Sequence, residues 1–513
     1  MSKVAKATIG LMIVTMLSKV LGFGRELALT YVYGASASAD AYITSVSIPT
    51  VLFASVATSL ATTFIPLFYE VDKTDGREKS LDFANNVFNI VIIISGLLAI
   101  FGFIFAEPLV KIFAINFAGE KLELAVEFTR IMIFGVIFIG LSNIMTSWLQ
   151  INGKFTIPGM IGFPFNIFII LGIFLSSKGN IEIMAIGTLI GLASQFLFQL
   201  PFAIKHGYKY KPYINIKDKY IKKMIWLIIP VFIGVGVNQI NAVIDRSLAS
   251  TLGDGVITVL NSANRLNLFV TGLFIATIAA VIYPMLSKLS NENNSEKFAE
   301  SVAQSVNSVV LLIIPISVGA IVLAEPVVRI VFERGAFDSD ATHMTAVGLA
   351  CYSVGMIGFG LRDILSKVFY SLKDTKTPMI NGALAMIMNI ILNLIFINFL
   401  GYAGLAIATS LSALICIVLL FRSLKKKIGY FGQDKIIKTL GKSLIAAIVM
   451  GGITLLSYKF LANILGLGFI QEAIALGGAV GIGVLVYGIL IILFKVEEVN
   501  IAIDIVKKKL NRA

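Results

Sequence analysis

Apolar runs of about twenty residues recur from one end of this sequence to the other, separated by short segments rich in lysine, glycine and proline. A bilayer core of about 30 Å takes roughly 20 apolar residues per helix, and in lipid every backbone amide must find its partner inside its own helix or a closed barrel. The pattern predicts an all-α polytopic membrane protein. Dividing the chain at its polar, Gly and Pro punctuation predicts 14 transmembrane helices at 8–32, 39–68, 84–105, 122–150, 156–176, 182–204, 222–250, 256–287, 302–323, 341–371, 379–399, 402–423, 437–461 and 470–494. Composition agrees, since 57% of the 513 residues are hydrophobic and 14% charged, against about 25% charge in a typical soluble domain.

The net charge of +13 is carried by residues between the runs instead of one basic face with interleaved aromatics, so nucleic acid is not an expected partner. The cations crowd alternate loops: Lys73, Arg77 and Lys79; Lys205, Lys209, Lys211, Lys217, Lys219, Lys222 and Lys223; Lys288 and Lys297; Lys373 and Lys376; Arg422 and Lys425 to Lys427; and Lys507 to Lys509 with Arg512. The positive-inside rule assigns these loops and both termini to the cytoplasm. Lys3 and Lys6 precede a long apolar stretch with no small-residue cleavage pattern, which predicts a retained helix and not a signal peptide. Cys351 and Cys416, both in apolar runs, offer neither a disulfide framework nor a metal cluster. His206 and His343 lie in or beside loops, and neither a Ser/His/Asp order nor a phosphate-binding glycine loop is present, so enzyme chemistry is not expected.

An internal repeat sharpens the architecture. Ala106-Glu107-Pro108-Leu109-Val110-Lys111-Ile112 returns as Ala324-Glu325-Pro326-Val327-Val328-Arg329-Ile330, Pro66 answers to Pro284, and Pro158 to Pro378. Ala185-Ile186-Gly187-Thr188 returns as Ala406-Ile407-Ala408-Thr409, and Arg25-Glu26-Leu27-Ala28 aligns with Arg246-Ser247-Leu248-Ala249. Each half holds six spans, so the repeats are expected to be parallel, related by an axis along the membrane normal. The expected divisions are an N-lobe at 1–215, a C-lobe at 216–428, and helices 13 and 14 with a basic tail at 429–513. Two such lobes around a central cavity are the build of alternating-access transporters; a duplicated scaffold without a cavity is the alternative.

Intramembrane charge gives a cavity something to do. An ionisable group at membrane depth costs roughly 2.5–3.5 kcal/mol on insertion scales and usually marks a pathway. On the first span Thr15, Ser18, Lys19, Gly22, Arg25 and Glu26 share about a third of the helix circumference, with Gly22 and Gly24 permitting a bend or a close approach by substrate. An Arg25–Glu26 or Lys19–Glu26 pair that neutralises itself is the plainer reading. Span eight carries Asn261, Asn264 and Arg265, span ten carries Arg362 and Asp363, and Asp40 opens span two either as a cavity carboxylate or as an N-cap. Lys19, Arg25, Arg265 and Arg362 outnumber Glu26 and Asp363, so the site is expected to take an anion; arginine suits phosphate because its planar fork bonds in bidentate fashion. Asn238, Asn241 and Asp245 form a stripe on span seven, while Asn389 and Asn393 lie on span eleven and Thr409 on span twelve. One carboxylate among neutral oxygens suits sodium or a proton-linked site and argues against zinc. Interhelical hydrogen bonding accounts for the same residues equally well, as does pairing of Asp245 with Arg246.

SKVLGFGRE (18–26), the Gly34-Ala35 turn before Ala39-Asp40-Ala41, ERGAF (333–337), KVFYSLKDTKTP (367–378) and GLAIATSLSA (404–413) resemble, in order and nearly end to end, the signatures of the MurJ family of lipid II flippases in the MOP exporter superfamily. The resemblance implies fourteen helices in two lobes and transfer of lipid II, the undecaprenyl-diphosphate disaccharide-pentapeptide, to the outer leaflet of the bacterial cytoplasmic membrane. Helices 13 and 14 would form a groove for the lipid tail, and a monomer surrounded by membrane lipids is expected. It implies substrate contacts at Arg25, Asp40, Arg265 and Arg362, with Lys19 standing where the family has a second arginine; Glu26 and Asn264 beside them complete the expected set. The family's basic pair after the Ile-Pro of helix two is absent, for Ile48-Pro49 is followed by Thr50-Val51-Leu52-Phe53. A sodium site described for some members would fall on Asp245, Asn389, Asn393, the Leu405 carbonyl and Thr409, with Asn393 where a carboxylate is usual. The competing readings are an exporter of another polyprenyl-linked oligosaccharide, a multidrug antiporter of the same superfamily, and a non-transporting membrane enzyme or scaffold that binds polyprenyl diphosphate.

Overall fold

The helices of the computed structural model are, in chain order, α1 (Lys3–Tyr33), α2 (Ala37–Asp75), α3 (Arg77–Ile104), α4 (Ala106–Phe113), α5 (Gly119–Met132), α6 (Gly135–Ile151), α7 (Thr156–Met160), α8 (Gly162–Ser176) and α9 (Glu182–Lys205). They continue as α10 (Lys219–Ala249), α11 (Val256–Asn291), α12 (Ser295–Val322), α13 (Ala324–Phe332), α14 (Ser339–Val354), α15 (Met356–Ser371), α16 (Lys376–Ile428), α17 (Gln433–Leu465) and α18 (Phe469–Leu493). The structure describes residues 3–292, 294–466 and 468–498, and among these it is all-helical, with no strand. The basic tail at Lys507 to Lys509 and Arg512, and the side chain of Asn238, lie outside what is described.

Every expected span coincides with helix, but by length and apolarity the count among described residues is lower than fourteen. Nine helices qualify as membrane spans, and α14 with α15, bent by 42°, makes a tenth. α1, α10 and α11 each include residues whose side chains lie outside what is described and do not enter that count. The spans expected at 379–399 and 402–423 run together as α16, whose 53 residues would reach about 80 Å if straight. It is not straight: Gly401 has φ 55° and ψ −131°, a conformation essentially confined to glycine. A Cβ built on Gly404 would lie 2.5 Å from the Phe396 carbonyl oxygen, so the chain doubles back there.

The packing forms two compact units. The first holds the described residues up to Thr258 together with Arg334–Phe337, and the second holds the remainder from Val259 onward. α10, which the repeat assigned to the C-lobe, belongs by packing to the first unit. It lies along α2, and at its start Lys223 reaches Glu70 (2.6 Å) and Lys219 reaches Asp75 (3.1 Å). The packing boundary therefore follows this helix, where the expected lobe boundary at 215 precedes it. The first unit includes an aromatic cluster of Phe64, Phe68, Trp148 and Tyr208, in which Trp148 meets Phe68 and Tyr208 edge-on. The second is built on Val306, Val310, Ile313, Ile364, Leu365 and Phe369. Both copies of the Ala-Glu-Pro segment are short separate helices, α4 and α13, each braced by an (i, i+4) ion pair at 2.7 Å, Glu107–Lys111 and Glu325–Arg329.

Three buried asparagines on α3 staple the connector between α9 and α10. Asn85 donates to the Lys209 carbonyl (2.8 Å) and accepts from the Lys211 amide (3.0 Å), and Asn89 donates to the carbonyls of Lys211 (2.9 Å) and Tyr213 (3.1 Å). Asn86 bonds both backbone groups of Asn215, each at 2.9 Å. Amides buried in an apolar helix must be paired, and here the partner is the connector's otherwise unsatisfied backbone.

The KVFYSLKDTKTP segment is a helix corner. Lys373 takes φ 58°, and the Asp374 carboxylate accepts from Lys427 Nζ (2.5 Å) and from the amide and hydroxyl of Thr377 (3.0 and 2.8 Å) at the start of α16. The Lys427 ammonium and the Thr377 amide hold the Asp374 carboxyl down at about 2, against an ordinary 3.8. A depressed carboxyl stabilises the fold above its unfolded value and loses that contribution as pH falls through the folded one. The melting midpoint of Asp374→Asn should therefore lie below wild type by a constant amount from pH 5 to 8, with the gap closing as pH falls from about 4 to 2; a gap independent of pH would exclude the ion pair as its source.

Candidate functional site

The polar face of α1 is divided between two surroundings. Ser18 and Gly22 lie against α8, where a Cβ on Gly162 would collide with Ser18 Oγ and one on Gly22 would sit 3.8 Å from the Asn166 amide. Helix-on-helix packing, not a substrate, occupies Gly22, and α1 runs unbroken through Gly22 and Gly24. The half-buried Arg25 holds its guanidinium 5.4 Å from the centre of the Phe165 ring, a cation–π contact. Lys19 is exposed, and Glu26 is 5% exposed. Among the described residues neither Lys19 nor Arg25 forms an ion pair, so the Arg25–Glu26 and Lys19–Glu26 pairs of the alternative reading are not made. Adjacent residues on a helix point about 100° apart and do not face each other.

Asp40 is where the structure departs furthest from the sequence reading. It does not cap α2: Ser36 does, accepting from the Ala39 amide. Nor does it offer a free carboxylate, being fully buried and saturated. Oδ1 accepts from the Thr258 amide (2.9 Å) and hydroxyl (2.7 Å), and Oδ2 from the Gly255 amide (2.7 Å) and Lys121 Nζ (2.9 Å). Lys121 also reaches Asp254 at 2.8 Å. Beside this clasp the Gly34 turn meets the ERGAF segment backbone to backbone. Ala336 donates to the Tyr31 carbonyl (2.9 Å), and Cβ atoms on Gly34 or Gly335 would stand 2.2 Å from the Ala336 and Tyr31 oxygens respectively. Both glycines also have φ near 60°, so two of the sequence signatures are explained by one close approach.

In the second unit Asn264 is half-buried and Arg265 exposed on α11. Arg362 on α15 is half-buried, with its guanidinium beside Gly382 of α16. Among the described residues Arg362 forms no ion pair; Asp363, counted with it as a cavity charge, is exposed and bonded to Lys367 at 2.9 Å. Four of the five residues expected to hold sodium join in one chain. Asn393 donates to Asn389 Oδ1 (3.1 Å), Asn389 to Thr409 Oγ1 (3.4 Å), and Thr409 to the Leu405 carbonyl (2.9 Å). Their donor type fits a hard cation, but no carboxylate is among them. Asp245 belongs to the first unit, where it accepts from Asn241 at 3.2 Å. Among the described residues no group of three or more His, Cys, Asp or Glu is placed to hold a metal.

Sequence reasoning missed Lys121, Thr258 and the asparagine staple. The one available signal was the run Asn85-Asn86-x-x-Asn89, three amides in an otherwise apolar span.

Comparison with known proteins bears on all of this. The family model described as lipid II flippase MurJ matches residues 29–494. A probable lipid II flippase MurJ of Vibrio cholerae is 34% identical over 505 residues, 94% of each chain, and the lipid II flippase MurJ of Burkholderia cenocepacia is 26% identical over 86% of this chain and 87% of its own. Among solved structures, lipid II flippase MurJ in an inward closed conformation superposes with a TM-score of 0.81 at 30% identity, covering 95% of this chain and 98% of that one. An inward-facing multidrug MATE transporter of the MOP superfamily reaches 0.67 at 16% identity, over 83% of this chain and 99% of its own, which is a likeness of fold alone.

Proposed function

Because this chain belongs to the family of the lipid II flippase MurJ, we propose that it carries lipid II across the bacterial inner membrane by alternating access, with Lys19, Arg25, Arg265 and Arg362 receiving the diphosphate. It is a multi-pass membrane transporter and not an enzyme. The observation that carries the diphosphate assignment is that Lys19, Arg25 and Arg362 stand in apolar helices without an ion-pair partner among the described residues. A cation at membrane depth is costly unless something anionic arrives, and a diphosphate supplies charge together with the acceptor geometry an arginine fork fits.

The finer arrangement is part of the same proposal: fourteen spans, two parallel six-helix repeats at 1–215 and 216–428, α17 and α18 as the groove for the prenyl tail, both termini cytoplasmic, and a monomer as the working unit. The matched Glu107–Lys111 and Glu325–Arg329 braces and the alternation of lysine-rich loops support it. Cells depleted of their own flippase should grow when this chain is supplied, and the purified protein should bind lipid II in preference to other polyprenyl-linked glycans. Failure of a well-inserted chain to sustain growth, with preferential binding of a different glycan, would replace lipid II as the cargo.

Sodium is proposed as a weak ligand of the oxygens of Asn389, Asn393, Thr409 and Leu405, weak because those four supply no carboxylate. A slightly higher melting midpoint in sodium than in potassium chloride, lost in Asn389→Ala, is the expected outcome; equal midpoints in both salts remove the site.

A further inference from the structure

The first unit contains an apolar cleft of about 440 Å³ that neither the diphosphate nor the sodium assignment uses. Sixteen residues line it and all are Ile, Val, Leu, Phe or Met, drawn from α2, α3, the start of α10 and the connector before it. The volume is in the range of small-molecule sites. Its floor is packed, with Phe53 and Leu60 buried, while its mouth is not: Ile94, Ile225 and Phe232 are each more than two-fifths exposed.

The cleft's roof is built by the asparagine staple. Asn86 grips both backbone groups of Asn215. Ile214 and Ile216 flank that residue, and both line the cleft although they are 50% and 65% exposed. Three buried amides in an apolar span position two isoleucines that bury little surface within the protein itself. A surface built at that cost and left open suits an apolar occupant from outside the chain.

Charge at the rim selects the occupant. Lys217 and Lys222 directly follow the lining residues Ile216 and Ile221; both are exposed, and among the described residues neither forms an ion pair, unlike Lys219 and Lys223 beside them. We propose that this cleft binds one acyl chain of an anionic membrane phospholipid, the chain lying along α3 and α10 under Ile214 and Ile216 and the headgroup phosphate meeting Lys217 and Lys222.

The test uses the full-length protein, delipidated in detergent and exposed to phosphatidylglycerol or phosphatidylcholine carrying identical chains, with retained lipid counted by native mass spectrometry. Wild type should retain phosphatidylglycerol in preference by roughly thirtyfold, from two lysines acting at the headgroup surface. K217A/K222A should bring the two lipids level, and I216Q, at an exposed position that spares the fold, should weaken retention of both. Equal retention of the two lipids by wild type, or phosphatidylglycerol binding that survives K217A/K222A and I216Q alike, overturns the proposal.

Discussion

Arg25→Ala is expected to abolish growth support in cells depleted of their own lipid II flippase while leaving the amount of membrane-inserted protein unchanged. The guanidinium would give the diphosphate two charge-assisted hydrogen bonds, each worth about 1.5–3 kcal/mol, so alanine costs roughly 10²- to 10⁴-fold in affinity for the lipid. Folding loses far less, because the one side-chain contact seen is the ring of Phe165, worth about 0.5–1 kcal/mol at such a site. Arg25→Lys separates charge from geometry: it keeps the cation but not the fork, and intermediate growth is expected. Normal growth with Arg25→Ala would remove this residue from the transport site. A fall in thermal stability equal to the fall in function would instead make it a packing residue.

The largest loss of stability is expected at Asp40. Removing one partner of a buried ion pair typically costs about 3–5 kcal/mol, because the charge left behind stays buried. Asp40→Ala orphans the Gly255 and Thr258 amides and one of the two contacts of Lys121; Lys121 keeps Asp254, an exposed partner, so the lower end of that range applies. Asp40→Asn retains an acceptor for Thr258 and should cost clearly less. Thermal unfolding of the purified proteins ranks the three. A change below about 1 kcal/mol for Asp40→Ala, the size of one ordinary hydrogen bond, would mean that the carboxylate is not the clasp described.

What could be read in the sequence was whatever one helix announces by itself. Spans such as 84–105 and 182–204 stand out because twenty apolar residues have one solution in lipid, and α3 and α9 cover them. The Ala-Glu-Pro copies stood out as words, but that α4 and α13 are separate short helices did not, since a span and the helix after it share one apolar pattern. Asp40 was misread because its partners lie 81 residues away in Lys121 and 218 away in Thr258, distances over which periodicity says nothing. The alternative reading of Arg25 and Glu26 as a self-neutralising pair rested on adjacency in sequence, which on a helix is not adjacency in space. α10 was assigned by the repeat, and its fastening to Glu70 and Asp75 of α2 joins residues too far apart in the chain for periodicity to reveal.

The tetrapeptide Arg334–Phe337 has a consequence for how the protein is made. It completes the first unit, donating the Ala336 amide to the Tyr31 carbonyl, yet it is synthesised 76 positions after the rest of that unit ends at Thr258. Chains leave the ribosome N-terminus first, so most of the first unit can assemble while its final seam stays open until α11, α12 and α13 have been inserted. Biogenesis of the two units is therefore interleaved, and a polypeptide cut after Thr258 is a unit still lacking its last piece.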